Sequence, residues 1–306
     1  MLIAARRAGG ARRPAFTSAI LLSMAALACC GIQSAQADPP SATPARRIVT
    51  LAPGLAELTF AAGAGDRLIA TVEYSNSPAA ARRVPRIGDA YRVDMEKLLS
   101  LHPDLVLGWA GGTPAALLER ITQLGLHVEV IATYRLADIS QAVRRIGALA
   151  GTLLLAEDKA RAIEAAIAGL VRDYGSRSPV AVFIEVDDKP LYTVNGKQLI
   201  SQVVELCGGR NIFADVAQLA PAIGIEAVIA RNPQAILSTD DTVVDARAAW
   251  ARWSSITAVR TGNIFTLNAD EVAQPTTRIV AGALAVCGAL DRARANLAAL
   301  AKAPAP

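Results

Sequence analysis

Histidine is almost missing from this chain: His102 and His127 are the two in 306 residues. A tight transition-metal centre draws on several imidazole or thiolate ligands, so a dedicated metal site finds no support. Signatures of nucleophilic and phosphate chemistry are lacking too: there is no G-x-S-x-G, no H-E-x-x-H and no Walker loop. Gly63-Ala64-Gly65 imitates half a dinucleotide fingerprint, but it closes a helix and opens a strand, the wrong order for that role. Gly111-Gly112 ahead of a helix reads as a tight turn, with an anion cradle of free amides as the alternative. No catalytic residue can be named, and an enzyme is not the expectation.

A second long hydrophobic run is also lacking. The first begins at Ala15 and ends at Cys30, behind Arg6, Arg7, Arg12 and Arg13, and Ala35-Gln36-Ala37 then supplies the small residues a signal peptidase reads. The reading is a cleavable secretory signal, residues 1–37, and so an exported protein. An uncleaved anchor is the alternative, although the run is short for a bilayer span. So is a lipoprotein cut at Cys29 or Cys30, although Leu27 lies one place off the usual register. The formal charge of +4 belongs to this leader: removing its four arginines leaves 27 bases against 27 acids. A balanced chain lacks the basic surface that nucleic acid requires.

Cysteine falls to two, Cys207 and Cys287, once the leader is gone. In an exported chain such a pair invites one disulfide; two separate buried thiols are the alternative. Aromatics make up 4% of the residues. The places they occupy therefore carry weight.

What the chain does have is a repeat. Val93 to Trp109 reads VDMEKLLSLHPDLVLGW, and Ile223 to Thr239 reads IGIEAVIARNPQAILST. Glu96 falls on Glu226, Leu98 on Val228, Leu99 on Ile229, Pro103 on Pro233 and Leu107 on Leu237. In each copy the apolar spacing is helical, a proline stops the helix, and a short apolar run follows, the look of a buried parallel strand. One helix–proline–strand unit used twice implies two similar α/β lobes with a ligand cleft between them.

The remaining pattern divides the chain into a lead-in (38–46), an N-terminal lobe (47–152), a connecting helix (153–177) and a C-terminal lobe (178–306). The helical pattern of the connector runs from Ala156 to Tyr174, acidic at its start and with Arg172 near its end, as the helix dipole favours. Asn268 to Thr277 reads as a loop before a long alanine-rich helix. Tyr74, Tyr91, Trp109 and Tyr192 fall at strand exits or in the loops that follow. Each taken alone reads more readily as packing, but ligands gather there in open α/β sheets, and four at strand exits split between the lobes point to a cleft for a large, flat or greasy molecule. Glu96 and Glu226 lie off the apolar stripe; they serve either the helix dipole or a two-fold symmetric partner with arginines.

RIVTLAPGLAELTFAAG, EYSNSP and PRIGDAYRVDMEKLLSLHPDLVLGWAGG in the first half, with ISQVVELCGGRNIF and EAVIARNPQAI in the second, resemble the periplasmic binding proteins of cobalamin and iron-chelate importers. The resemblance spans almost all of the chain beyond the leader. It implies α/β architecture of class III: two Rossmann-like lobes joined by one long rigid helix, with limited closure. It further implies a monomer that captures a corrinoid, cobalamin or a precursor, and delivers it to the permease dimer of an ABC importer with its ATPase subunits. By resemblance Tyr74, Trp109, Tyr192 and Asp270 contact ligand. Glu96 and Glu226 meet permease arginines, and Cys207 pairs with Cys287. There are departures: Ala90 and Ala220 stand where cobalamin binders of the family carry tryptophan, with Tyr91 beside the first, and Gln274 replaces an arginine. Haem and ferric-siderophore binders share the fold and form the alternative. Haem binders place a ligating tyrosine directly after the glycine matching Gly88, where this chain has Asp89.

Overall fold

A computed structural model describes residues 43–240 and 245–302; the expected signal and its cleavage site lie outside them. The first sheet holds β1 (Ile48–Thr50), β2 (Leu68–Ala70), β3 (Leu105–Trp109) and β4 (Val128–Ile131). All its pairings are parallel, in the order β2-β1-β3-β4. Helices α1 (Pro53–Ala61), α2 (Met95–Ser100), α3 (Ala115–Gln123) and α4 (Leu136–Ala150) belong to it, and α5 (Leu153–Tyr174) carries the chain onward. The second parallel sheet is built from β5 (Val180–Glu185), β8 (Gly209–Asn211), β9 (Ala235–Thr239) and β10 (Ile264–Leu267). Its order, β10-β9-β5-β8, is the first sheet's arrangement repeated. Between β5 and β8 a small antiparallel hairpin intervenes, β6 (Asp187–Asp188) with β7 (Leu191–Tyr192). Helices α6 (Leu199–Leu206), α7 (Ile225–Arg231), α8 (Ala246–Trp250), α9 (Thr257–Arg260), α10 (Ala269–Val272) and α11 (Ile279–Lys302) complete the fold.

Alternation along the strands sorts three layers of core, because successive side chains point to opposite faces. Ile48, Leu105 and Leu107 of the first sheet share one cluster with Val182, Ile184, Ala235 and Leu237 of the second. Ile146 of α4, Ile163 of α5 and Leu290 of α11 fill the space between. The intervening residues Val49 and Val106 face the other way, onto Leu98 and Ile121. Phe183 and Ile236 face Val228 and Trp250. Both sheets are thus covered on two sides, and the central layer is common to them.

The duplicated unit is a structural repeat as well. Leu98 and Val228 are both fully buried, each on its own sheet's outer face. Both stops use the same device: His102 (φ 44°) and Asn232 (φ 41°) precede the two prolines in the left-handed region. A residue before proline is sterically pushed out of the right-handed helix, and a left-handed residue ends the turn at once. His102 is therefore accounted for as a helix stop.

Cys207 and Cys287 are bonded (S–S 2.04 Å), tying the end of α6 to α11 across 80 residues; the two-thiol alternative falls. Closing a loop of that length stabilises by about 4–5 kcal/mol at most in the chain-entropy picture. The connecting helix runs Leu153–Tyr174, within the expected 153–177 and three residues longer at its start than the Ala156–Tyr174 pattern. Four elements escape the sequence pattern: the expected loop 268–277 contains the one-turn helix α10, and β6, β7 and β8 are strands of two or three residues. Such pieces are too short for any periodicity to show.

Candidate functional site

Parallel strands all exit at one edge of their sheet, and the loops at the two exit edges meet around one cleft. A compartment of about 230 Å³ is lined by Pro53 and Leu58 from the β1–α1 segment, Trp109 at the end of β3, and Gln274 and Pro275 beyond α10. A second, of about 410 Å³, shares Trp109, Thr133, Ala273 and Pro275 with the first and adds Tyr134, Lys197 and Leu219. Volumes of this order suit small-molecule sites. Their walls are mostly apolar, with a few polar groups at fixed places.

Trp109 is the shared wall, and its ring is clamped. The indole Nε1 donates to Thr133 Oγ1 (2.9 Å), and the backbone N–H donates to Thr113 Oγ1 (2.9 Å). A Cβ on Gly111 would come within 2.5 Å of the ring, and one on Gly112 within 2.7 Å. The glycine pair therefore lets the indole lie flat on the strand-to-helix turn, and the amides of Gly112 and Thr113 are spent on the Trp109 carbonyl (3.2 and 2.9 Å) rather than free to cradle an anion.

The other expected contact residues stand at the exits but outside the lining of these two compartments. Tyr74 follows β2, has a left-handed backbone (φ 64°) and is 79% exposed. Its loop is pinned by Ser75, whose hydroxyl bonds Thr71 (2.8 Å) and whose carbonyl accepts from Arg86 (2.8 Å). Tyr91 is 73% exposed on a turn organised by Asp89, whose carboxylate accepts from the amides of Tyr91 and Arg92 (both 2.7 Å). Those two backbone bonds hold the Asp89 carboxyl below its ordinary range. Tyr192 is half-buried in the hairpin, on the same face as Asp187, with Asp188 and Leu191 on the other. Asp270 is exposed in α10 and accepts from Gln274 Nε2 (2.8 Å) and Arg278 Nη1 (3.1 Å).

Sequence reasoning missed Thr133, Tyr134, Lys197 and Leu219. Tyr134 was within reach, since it is an aromatic three residues beyond β4, the same signal that picks out Tyr74. Thr133, Lys197 and Leu219 carry none. Gln274, noted for replacing an arginine, is a cavity wall.

Glu96 and Glu226 each occupy the first turn of a short helix and are exposed. Outside the cleft, the hairpin face bearing Asp188 and Leu191 borders a hollow of about 470 Å³ with Trp250 and Trp253. At its base lies Glu185, 3% exposed, accepting from the Trp250 indole (3.1 Å). Burial raises the Glu185 carboxyl pKa, against the lowering by bonds from Trp250 and Ser238. Among the described residues no group of three or more His, Cys, Asp or Glu could hold a metal ion, and no helix is long and apolar enough to cross a membrane.

The sequence profile of the family described as periplasmic binding protein matches residues 48–271. A vitamin B12-binding protein of Vibrio parahaemolyticus serotype O3:K6 is 32% identical over 245 residues, 80% of this chain and 89% of that protein. One of Vibrio campbellii is 31% identical over 252 residues, 82% of this chain and 91% of that protein. The crystal structure of the periplasmic vitamin B12 binding protein BtuF of Vibrio cholerae superposes with a TM-score of 0.76 at 32% identity, covering 82% of this chain and 98% of that one. The periplasmic heme-binding protein RhuT of Roseiflexus sp. RS-1, at 24% identity and a TM-score of 0.71 over 81% of this chain and 99% of that one, shares the fold. Two parallel sheets meeting at their exit edges, with a long helix between them, are the architecture of a substrate-binding protein of transport. The chain belongs to the periplasmic binding protein family and is BtuF-like within it.

Proposed function

We propose that this protein captures a corrinoid, cobalamin or a precursor, in the periplasm and hands it to the permease dimer of an ABC importer with its ATPase subunits. It does so as a monomer and without catalysis. The observation that carries the reading is the clamped indole of Trp109 as the common wall of an apolar cleft, in a chain 32% identical to vitamin B12-binding proteins over most of its length. The lobes are assigned as 47–152 and 178–306, with 153–177 as connector, and residues 1–37 are removed on export.

In this reading the guest lies on Trp109, and Tyr74, Tyr91 and Tyr192 close on its exposed parts from the rim. Exposed aromatics around an apolar floor are costly to leave in water, and a flat guest recovers that cost. Asp270 accepts from amide groups at the guest's edge. Glu96 and Glu226 engage arginines on the permease, one from each lobe.

Calorimetric titration of the purified protein with cyanocobalamin, cobinamide and haem tests the reading. Saturable binding of a corrinoid well ahead of haem is the expected result. Haem binding with no corrinoid heat would overturn it.

A further inference from the structure

Glu57 is a carboxylate in α1, 5% exposed, and its partners all come from the other sheet's side of the molecule. Thr277 donates its hydroxyl (2.9 Å), Arg278 its backbone N–H (3.3 Å) and its Nε (2.8 Å). A buried carboxylate persists only when paired and fully hydrogen-bonded, so this cluster fixes where the start of α11 sits against α1. The backbones approach closely beside it: a Cβ on Gly54 would meet Thr276 Cγ2 at 3.1 Å.

The guanidinium does not end at Glu57. Its Nη1 donates to Asp270 (3.1 Å) and its Nη2 to Gln274 Oε1 (3.4 Å), while Gln274 Nε2 donates back to Asp270 (2.8 Å). Gln274 is a wall of the smaller compartment, opposite Pro53 and Leu58 of the Glu57 segment. One planar fork thus grips a buried acid of one lobe and the cleft-side loop of the other.

We propose that Arg278 is a positioning residue that couples lobe separation to ligand affinity. It sets the distance between the α1 wall and the Asp270–Gln274 wall, so the cleft is held at its binding width before a guest arrives. Preorganisation of this kind shows in affinity because less ordering is left to be done on binding. Lysine cannot reproduce the coupling, since a single ammonium lacks the fixed fork that spans two carboxylates. The inference rests on the corrinoid reading for its choice of ligand, but its geometric half does not.

The test uses the purified protein with Arg278→Lys and Glu57→Gln, the first keeping a cation beside the buried acid so that the fold survives. Spin labels on non-cysteine handles at exposed Glu119 and Arg210, one per lobe, report the interlobe distance without ligand. Calorimetry with cyanocobalamin reports Kd. The expected result is a broadened distance distribution and a Kd raised at least fivefold in both variants. A merely structural role would lower the melting temperature and move neither. An unchanged distribution, or an unchanged Kd, in both variants overturns the proposal. If the wild type fails to bind any corrinoid, the functional reading falls and the distance arm alone decides this one.

Discussion

Trp109 shows how much one side chain depends on the backbone beside it. Its ring rests where Gly111 and Gly112 have no Cβ, and its Nε1 is spent on Thr133. Replacing Trp109 by Ala should weaken corrinoid binding by about tenfold to a hundredfold, the scale of losing one large aromatic contact. Gly111→Ala leaves every contact group present yet should weaken binding too, because the ring must tilt off the turn; parallel titrations of the two variants check this. Glu185 makes a different point. Its pKa is raised by burial, so the folded state holds that proton more tightly than the unfolded chain does. Its ionisation therefore costs stability: the protein gains as pH falls through the folded pKa towards the unfolded value, and loses as pH rises through it. Glu185→Gln keeps an acceptor for Trp250 and removes the charge. It should raise the melting temperature at pH 8 and flatten the decline in stability as pH rises from 5 to 8; thermal melts across that range decide it.

Helices α4 and α5 are stapled by Arg144, which meets Glu157 (2.6 Å) and Glu164 (2.5 Å) on the connector. The Arg144 hydrogen bond, joined by one from Ser140, holds the Glu164 carboxyl down at about 2. A depressed carboxylate contributes stability above its unfolded value, here 4.5, and loses it as pH falls through about 2. Glu164 is nearly half exposed, so solvent screens the pair and Glu164→Gln should cost on the order of 1 kcal/mol at neutral pH. The difference between variant and wild type should shrink below pH 4, as urea titrations at several pH values would show. These elements also mark the limits of sequence reading. The long connector was legible from apolar periodicity over many turns, the parallel strands from short wholly apolar runs, and the repeat because helix, proline and strand recur in the same order. The hairpin Asp187–Tyr192, the strand Gly209–Asn211 and the helix Ala269–Val272 were not, since each is too short for its pattern to recur and is placed by tertiary pairing. The site divides in the same way. Trp109 could be found because aromatics are scarce in this chain and this one stands at a strand exit, whereas Thr133 and Lys197 line the cleft from loops whose course only the fold decides.

For the molecule as a whole, the shared core limits how its halves move. Ile48 and Leu107 of the first sheet and Val182 and Ile184 of the second belong to one apolar cluster. Wide opening would expose that layer at about 25 cal/mol for each Å² uncovered, so the core excludes large opening and leaves only the narrow range of interlobe distance on which the Arg278–Glu57 cluster acts. A frame that barely changes gives a transporter a constant pair of handles, and Glu96 and Glu226 occupy equivalent places at the start of α2 and α7 in the two halves. If those carboxylates engage arginines on a two-fold symmetric permease, each should matter to docking and neither to the cleft. Glu96→Ala and Glu226→Ala should each lower uptake severalfold, and the double variant more than either, while Kd for cyanocobalamin stays within twofold of the wild type. Uptake into vesicles carrying the permease and its ATPase subunits, set beside calorimetry on the same preparations, separates the two effects. Unchanged uptake in the double variant would remove the docking role and leave the cleft untouched. A matched fall in affinity would instead mean that these helices support the binding frame itself.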